Sequence, residues 1–271
     1  MLTFLKLGGS LITDKTRPYT PRPERLDDLA RQIAAALKED ADLRLVLGHG
    51  SGSFGHEAAS RFDTRHGVSG PGAWRGFAEV WYQASTLNRL VVDALRRAGL
   101  PALTLSPAAS VTAHDGKAFI WDIYPLQSAL ANGLLPVVHG DVVFDDARGG
   151  TILSTEDLFA HLARTLKPER ILLAGLEAGV WEHFPERTKL LEEMTPQDLA
   201  RQANGPGRAA LACRPGQAGA DVTGGMQSKV AGMLELVEQV PGLEAVIFSG
   251  EEPDAVRRAL LGASPGTRLH R

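Results

Sequence analysis

Short runs of apolar residues recur along the chain, and their length predicts buried β-strands. Each run is too short for a typical helix and ends near glycine, proline or a small polar residue. A continuous apolar run, without alternation of apolar and polar residues, is typical of strands that are covered on both faces. The runs are Thr3–Leu7, Leu43–Leu47, Pro101–Leu105, Leu134–Val138, Ile171–Ala174 and Ala245–Phe248.

Segments with helical periodicity lie between these runs. The clearest is Pro23–Lys38, where leucine and isoleucine recur at helical spacing and charged residues fall on the other positions. Alternation of strands and helices predicts an α/β fold with a mainly parallel sheet and helices on both faces. The other predicted helices are Phe77–Arg97, Glu156–Leu166, Gln227–Val240 and Pro253–Leu261.

The length of 271 residues fits one large domain or two fused lobes, at about 100–200 residues per domain. A division near Lys167-Pro168 gives predicted lobes 1–166 and 167–271 that share one continuous sheet. Two segments interrupt the alternation, Arg61–Trp74 and Asn204–Ala220, both with much glycine. Loops of that length inside a compact domain are usually lids, binding loops or mobile segments.

Charge and composition narrow the class of protein. Lysine and arginine number 29 against 32 acidic residues, a net charge of -3, so the chain offers no broad basic field for nucleic acid. The single cysteine, Cys213, forms no intramolecular disulfide and favours a reducing compartment. The N-terminal run Met1–Leu7 is too short for a secretory signal, and no stretch reaches the ~20 apolar residues of a membrane span. We expect a soluble cytoplasmic protein with no membrane partner.

The first candidate site follows the first strand, at Lys6-Leu7-Gly8-Gly9-Ser10, with Lys15 shortly after it. Paired glycines at the end of a strand let backbone N–H groups approach an anion, and lysines neutralise phosphate oxygens. The spacing is not that of a Walker A loop. A tight turn with surface lysines explains this motif equally well when it is taken alone.

A second glycine segment, Gly48–His56, follows the second strand. So many glycines in one connection are favoured where a bound group touches the main chain. His56 closes the segment and is predicted to donate to a phosphate, whereas His49 lies inside the turn, where a hydrogen bond to a neighbouring carbonyl explains it equally well.

Two further motifs come later in the chain. Gly140-Asp141 follows another predicted strand. Ser154–Asp157 lies at the start of a predicted helix, where an N-cap residue and two acids that complement the helix dipole explain this second motif without catalysis. In Gly219–Lys229, Thr-Gly-Gly precedes a helix and Lys229 lies one turn into it, an arrangement that favours phosphate binding. Three separate glycine motifs with a lysine or histidine make chance the weaker explanation.

With these motifs the sequence resembles the amino acid kinase superfamily and, within it, the isopentenyl phosphate kinases. The resemblance covers essentially the whole chain and is most specific at Ser53-Phe54-Gly55-His56 and at Asp221–Met226. It implies an open three-layer αβα sandwich whose lobe 1–166 holds the phosphate acceptor and whose lobe 167–271 holds ATP. Relatives of this kind are commonly homodimers. The chain departs from the usual family pattern at Gly50-Ser51-Gly52, at Ser154–Asp157 and at Ala174–Trp181, the last lacking the usual aspartates.

The resemblance also implies roles for individual residues. The catalytic residues would be Lys15, His56 and Lys229. Those facing ATP would be Lys6, Gly8, Gly9, Ser10, Gly52, Asp221, Gly225 and Lys229. Those holding the acceptor phosphate would be Gly50, Ser51, Gly55, His56 and Gly140.

The chemistry of the implied reaction fits these residue types. A monophosphate acceptor has a second pKa of about 6 and is already largely a dianion at neutral pH, so no general base is needed. Lysines offset the charge that accumulates during phosphoryl transfer. Mg²⁺ bridging ATP oxygens is expected for the same reason, with no all-protein metal cage in the sequence.

The other end of the acceptor is predicted to meet the stretch Phe77–Ala84, although most of these apolar residues are equally explained as core. Two alternatives remain open. One is a related kinase of another small phosphate or phosphonate, resembling fosfomycin kinase. The other is a non-catalytic nucleotide-binding sensor on the same fold.

Overall fold

The structure is a computed structural model, and it describes residues 1–182, 187–204 and 225–271, with the backbone alone at His56 and at residues 201–204. All six predicted strands are confirmed, with ends shifted by one or two residues. The described strands are β1 (Leu2–Leu7), β2 (Arg44–His49), β3 (Ala102–Thr104), β4 (Val111–His114), β5 (Lys117–Trp121), β6 (Leu135–His139), β7 (Asp141–Asp145), β8 (Gly149–Leu153), β9 (Arg170–Gly175), β10 (Glu193–Met194), β11 (Glu244–Ser249) and β12 (Thr267–Leu269).

Helices connect most of these strands. The second helix begins at Pro23, whose fixed φ angle suits the first turn of a helix. The described helices are α1 (Gly9–Ile12), α2 (Pro23–Glu39), α3 (Gly52–Phe62), α4 (Gly70–Arg97), α5 (Pro107–Ser110), α6 (Tyr124–Ala131), α7 (Thr155–Leu166), α8 (Pro196–Asn204), α9 (Gly225–Gln239) and α10 (Ala255–Leu260).

The central sheet has eight strands in the order β10-β12-β11-β9-β1-β2-β6-β3, and all its pairings are parallel except β11 with β12. Alternate residues of the central strands pack on opposite faces. Leu5 contributes to the cluster with α2, α4 and α10, whereas Phe4 contributes to the cluster with α7 and α9. The predicted three-layer αβα sandwich with a mainly parallel sheet is therefore confirmed.

Strands from both halves of the chain lie in this one sheet. β1 pairs with β2 on one side and with β9 on the other, in register from Thr3 opposite Arg170 to Leu7 opposite Ala174. The carboxyl ends of strands that precede and follow Leu166 therefore lie side by side, and this places groups from both halves around one crevice.

Two predicted loops are wrong in part. The glycine segment 48–56 continues the second strand to His49 and then begins α3 at Gly52, and much of 61–74 is helical, because α4 begins at Gly70 with Pro71 in its first turn. Glycine content suggested loops here, but packing of α3 against α4 overrides that local preference. Of the predicted loop 204–220, residues 205–220 lie outside the described residues.

A smaller sheet of four strands, in the order β5-β4-β7-β8, was not predicted. It follows the acceptor-side motifs along the chain and packs next to α4 and α5. Over the described parts of the chain, no helix combines the length and apolar character needed to cross a membrane.

Candidate active site

Four neighbouring strands of the large sheet end at glycines on one edge. β9, β1, β2 and β6 are adjacent and parallel, so their carboxyl ends meet there. Gly8 follows β1, Gly50 follows β2, Gly140 follows β6, and Gly175 is the last residue of β9. Ligands of open α/β sheets bind in the crevice outside the carboxyl ends of the strands. This edge is therefore the candidate active site.

The first two glycine turns are in backbone contact. A Cβ atom on Gly9 would lie 2.4 Å from the nitrogen of Gly52, and one on Gly50 would lie 2.9 Å from the nitrogen of Gly9. Both positions therefore require glycine. The Gly50 N–H donates to the carbonyl of Leu7 at 3.0 Å, which ties the second turn to the first strand. Backbone amides from two turns are thereby gathered where one small anion can meet them.

Thr13 joins these two turns through its hydroxyl. Oγ1 donates to the Gly9 carbonyl at 2.7 Å and accepts from the Ser53 N–H at 3.0 Å. Gly52 has φ +49°, and a Cβ there would lie 2.2 Å from Thr13 Oγ1, so both conformation and space demand glycine. The N-terminus of α3, with its positive partial charge, is thus held against the first turn.

A buried ionic cluster lies beside the turns. The Lys6 ammonium, near the end of β1, contacts the carboxylate of Glu156 on α7, and both side chains are about nine-tenths buried. Burial alone raises the pKa of Glu156, but the charges of Lys6 and then Lys229 outweigh it and hold that pKa below its usual range. Glu156 is therefore an ionised carboxylate between two lysines from opposite halves of the chain.

The start of α7 separates the roles of its two acids. Ser154 accepts from the Asp157 N–H at 3.2 Å, and the Asp157 carboxylate accepts from the Ser154 N–H at 2.8 Å, a complete capping box. The predicted N-cap is confirmed. Glu156 also lies in the first turn of α7, and in addition to its place at the helix dipole it contacts Lys6.

A cavity of about 310 Å³ opens next to the ionic cluster, between α7 and α9. Its lining includes Glu156 and Lys229 together with the cationic side chains of Arg65, Lys117 and Arg164. The carboxylates of Asp157 and Glu235 line it as well, so four cationic side chains face three carboxylates and the positive excess is small.

The residues predicted to face ATP divide between the two sides of the crevice. Lys6 lies in β1, Gly8, Gly9 and Ser10 form the turn into α1, and Gly52 begins α3. Gly225 begins α9 with φ +71°, and Lys229 lies one turn further along the same helix. The sheet brings these two groups to one edge, whereas Asp221 lies outside the described residues.

The residues predicted to hold the acceptor phosphate follow β2 and β6. Gly50 and Ser51 connect β2 to α3, Gly55 lies within α3, and Gly140 joins β6 to β7. Gly140 is tied to the second turn because its N–H donates to the His49 carbonyl at 3.1 Å. The backbone of His56 lies in α3, and its side chain is outside what the structure describes.

Lys15 is set apart from the ionic cluster. It is exposed in the turn that follows α1, and among the described residues the cations that act on Glu156 are Lys6 and Lys229. The same turn is anchored to α3 where the Thr20 N–H donates to Ser53 Oγ at 3.2 Å. Lys15 thus lies on a segment that borders the second glycine turn.

Sequence reasoning did not assign two side chains to the candidate site. Glu156 had a signal, because a capping box needs only the acid at Asp157 and leaves a second acid unexplained. Thr13 had none, since its bridging contacts depend on how α1 and α3 approach each other.

The comparisons with known proteins agree with this architecture. The family model "Amino acid kinase family" matches residues 1–249, and the chain belongs to this family. The protein is therefore a phosphotransferase by family, and the crevice at the sheet edge is its candidate active site.

Proteins similar to this chain within that family include isopentenyl phosphate kinases. The one from Methanothermobacter thermautotrophicus is 34% identical over 99% of this chain and 98% of its own length. The one from Methanocaldococcus jannaschii is 30% identical, with coverage of 99% and 98%. A solved isopentenyl phosphate kinase structure superposes with a TM-score of 0.81 at 30% identity, over 99% of this chain and 100% of that chain. The resemblance inferred from the motifs is confirmed.

Proposed function

We propose that this protein transfers the γ-phosphate of ATP to isopentenyl phosphate, giving isopentenyl diphosphate and ADP for isoprenoid precursor synthesis. The observation that carries the proposal is the meeting of two glycine turns with the Lys6, Glu156 and Lys229 cluster at one sheet edge. Full-length similarity to isopentenyl phosphate kinases supports the choice of acceptor.

The site supplies alignment and charge, which are what phosphoryl transfer requires. The acceptor dianion needs no base, so the residues around it act as donors. The backbone amides after β1 and β2 bind phosphate oxygens, and Lys6 and Lys229 offset charge on the transferring group. Glu156 keeps both ammonium groups in place without neutralising them fully.

Mg²⁺ would enter with ATP in this proposal. The carboxylate closest to the lysines, Glu156, is already ion-paired with Lys6. The ion is therefore expected to take its ligands from phosphate oxygens and water, and it would supply charge neutralisation on the phosphates.

The two lobes are proposed to bind different substrates. We infer that 1–166 holds the acceptor through Gly50, Ser51, Gly55, His56 and Gly140. The lobe 167–271 would hold the nucleotide, with Asp221, Gly225 and Lys229 near its phosphates and the β1 turn facing the triphosphate. The adjacency of β1 and β9 supports transfer across the boundary between the lobes.

ADP formation from ATP with a panel of acceptors tests the function. The panel contains isopentenyl phosphate, dimethylallyl phosphate, fosfomycin and glutamate, and ³¹P NMR identifies the product. We expect a diphosphate from isopentenyl phosphate at the highest kcat/KM. Preference for fosfomycin would indicate the related phosphonate kinase, and tight ATP binding without turnover of any acceptor would indicate a sensor.

Replacement of His56 by alanine tests the acceptor side. We expect kcat/KM for isopentenyl phosphate to fall by about 10- to 150-fold, because the glycine turn keeps its amides but loses one donor to a charged group. Thermal unfolding should be unchanged. A variant with near-normal kcat/KM would contradict the assignment of His56.

The hydrocarbon end of the acceptor is proposed to meet the inward side of α4. Phe77 and Val80 are buried in a small cluster with Val142, whereas Trp81 and Tyr82 face outward. Of the stretch 77–84, we therefore assign tail contact to Phe77 and Val80.

Replacement of Phe77 by alanine is expected to raise the ratio of kcat/KM for ten-carbon over five-carbon monophosphates. Each CH₂ accommodated in an apolar site contributes about 0.8 kcal/mol. Tyr82→Ala, on the exposed side of the same helix, is the matched control and should leave the ratio unchanged. A lowered melting temperature with no change in the ratio would show that Phe77 is ordinary core.

A homodimer is the proposed assembly. β3 is the outermost strand of the large sheet on its side, and Leu103 in that strand is exposed. Such an edge favours pairing with a second chain. Light scattering on the purified protein measures the subunit number directly.

A further inference from the structure

The buried imidazole of His49 is a feature that the proposed mechanism does not use. His49 ends β2, directly before the acceptor turn, and has no exposed surface. Its Nδ1 lies 3.1 Å from the carbonyl oxygen of Gly50, and its Nε2 lies 3.1 Å from the side-chain oxygen Oδ1 of Asn88 on α4. Nδ2 of the same amide donates to Thr104 Oγ1 at the sheet edge at 2.8 Å.

The surroundings of His49 keep the ring neutral. Its ring is parallel to that of His139, with centroids 5.3 Å apart and an interplanar angle of 7°. Burial and then the neighbouring His139 lower the pKa of His49 to about 4, and Lys6 acts in the same direction. The carboxylate of Asp141 contacts Nε2 of His139, not His49, at 3.3 Å.

A neutral imidazole carries one N–H, and the neighbours decide which nitrogen holds it. The Gly50 carbonyl can only accept, so Nδ1 must be the donor. Nε2 then has no proton to give, whereas the amide atom beside it is the oxygen of Asn88. The oxygen and NH₂ of an amide have nearly the same shape, and exchanging them lets the NH₂ donate to Nε2 and the oxygen accept from Thr104 Oγ1. In this arrangement each contact along Gly50, His49, Asn88 and Thr104 pairs one donor with one acceptor.

This tautomer fixes the direction of a peptide group in the acceptor turn. The peptide between Gly50 and Ser51 is planar and trans, so its N–H points away from the side on which its carbonyl is held. Among the described residues, no hydrogen bond takes up the Ser51 N–H. The carbonyl held by His49 therefore leaves the Ser51 N–H as a donor for a ligand.

We propose that His49 is a positioning residue for the acceptor phosphate, since its Nδ1–H holds the Gly50 carbonyl and so presents the Ser51 N–H to that phosphate. The inference rests on the proposed function for the identity of the acceptor. Asn88, held by Thr104, hydrogen-bonds to Nε2 and so favours the tautomer with the proton on Nδ1. His49 itself does not touch the substrate.

Two isosteric variants separate the nitrogen atoms. In His49→Asn the side-chain NH₂ replaces Nδ1 and keeps the bond to the Gly50 carbonyl, whereas in His49→Gln the NH₂ replaces Nε2 and loses it. We expect His49→Gln to raise the KM for isopentenyl phosphate about ten-fold or more, with the KM for ATP nearly unchanged. His49→Asn should stay within about three-fold of the wild type for both substrates. Equal effects of the two variants, or parallel increases in both KM values, would overturn the proposal.

A measurement on the unaltered protein covers the case in which a variant fails to fold. ¹⁵N NMR of histidine-labelled protein should show His49 protonated at Nδ1 and not at Nε2, and isopentenyl phosphate should shift the Ser51 amide proton downfield. A ring protonated at Nε2, or a Ser51 amide unaffected by saturating isopentenyl phosphate that does bind, would overturn it. If isopentenyl phosphate neither binds nor reacts, the proposed function fails, while the tautomer result still decides whether His49 holds the turn.

Discussion

Replacement of Lys229 by alanine is expected to lower kcat by about 10²- to 10³-fold, with little change in the KM for isopentenyl phosphate. Lys229 lines the cavity beside Glu156, and its charge acts on that carboxylate. Negative charge on the transferring group is greatest in the transition state, so the loss should appear mainly in kcat. Steady-state kinetics with each substrate varied in turn measures the effect.

The matched control is Lys38→Ala, which removes an exposed lysine at the end of α2 and should leave both constants unchanged. An unaltered kcat with only a raised KM for ATP would show that Lys229 binds the ground state. The same assay on Lys15→Ala tests the catalytic role that the family resemblance implies for Lys15, for which we also expect the loss in kcat and not in acceptor binding.

Glu156→Gln is expected to destabilise the fold and to slow the reaction together. The change removes one partner of a buried ion pair and leaves Lys6 without its counter-charge, which costs about 3 kcal/mol. For a chain of this size, that corresponds to a fall in melting temperature of about 6–12 °C. Activity should fall as well, because Lys6 and Lys229 lose the carboxylate that positions both.

The pH dependence of this variant gives a separate test. The pKa of Glu156 is lowered in the folded protein, so its contribution to stability is complete above the unfolded value of about 4.3 and is lost as pH falls through the folded pKa. The difference in melting temperature between wild type and Glu156→Gln should therefore be widest near neutral pH and should narrow below about pH 4.

Asp157→Asn is the control for the helix start. It weakens the capping box at Ser154 and costs about 1 kcal/mol, but it leaves the charge beside Lys6 in place. Its kcat should remain near that of the wild type. If Asp157→Asn impaired kcat as much as Glu156→Gln, the capping of α7 would account for the effect and the ionic role of Glu156 would be wrong.

The sequence predicted the strands and the main helices because their signals are local. Apolar runs such as Ile171–Ala174 are too short for helices, and the periodicity of Pro23–Lys38 specifies a helix with one buried stripe. The predictions failed where glycine content was taken as a sign of a loop. Gly52 and Gly70 both begin helices, and Gly52 is required by the close approach of Thr13.

The sequence by itself determined the α/β class, the glycine turns at the strand ends and the family, because each depends on residue type and spacing within a short stretch. The tertiary structure decided which charges meet. Lys6 and Glu156 are far apart in the chain and contact each other because parallel pairing brings the carboxyl ends of the strands to one edge, where α7 begins. The contact of His49 with Asn88 depends on how α4 packs on the sheet, so no local sequence pattern predicts it.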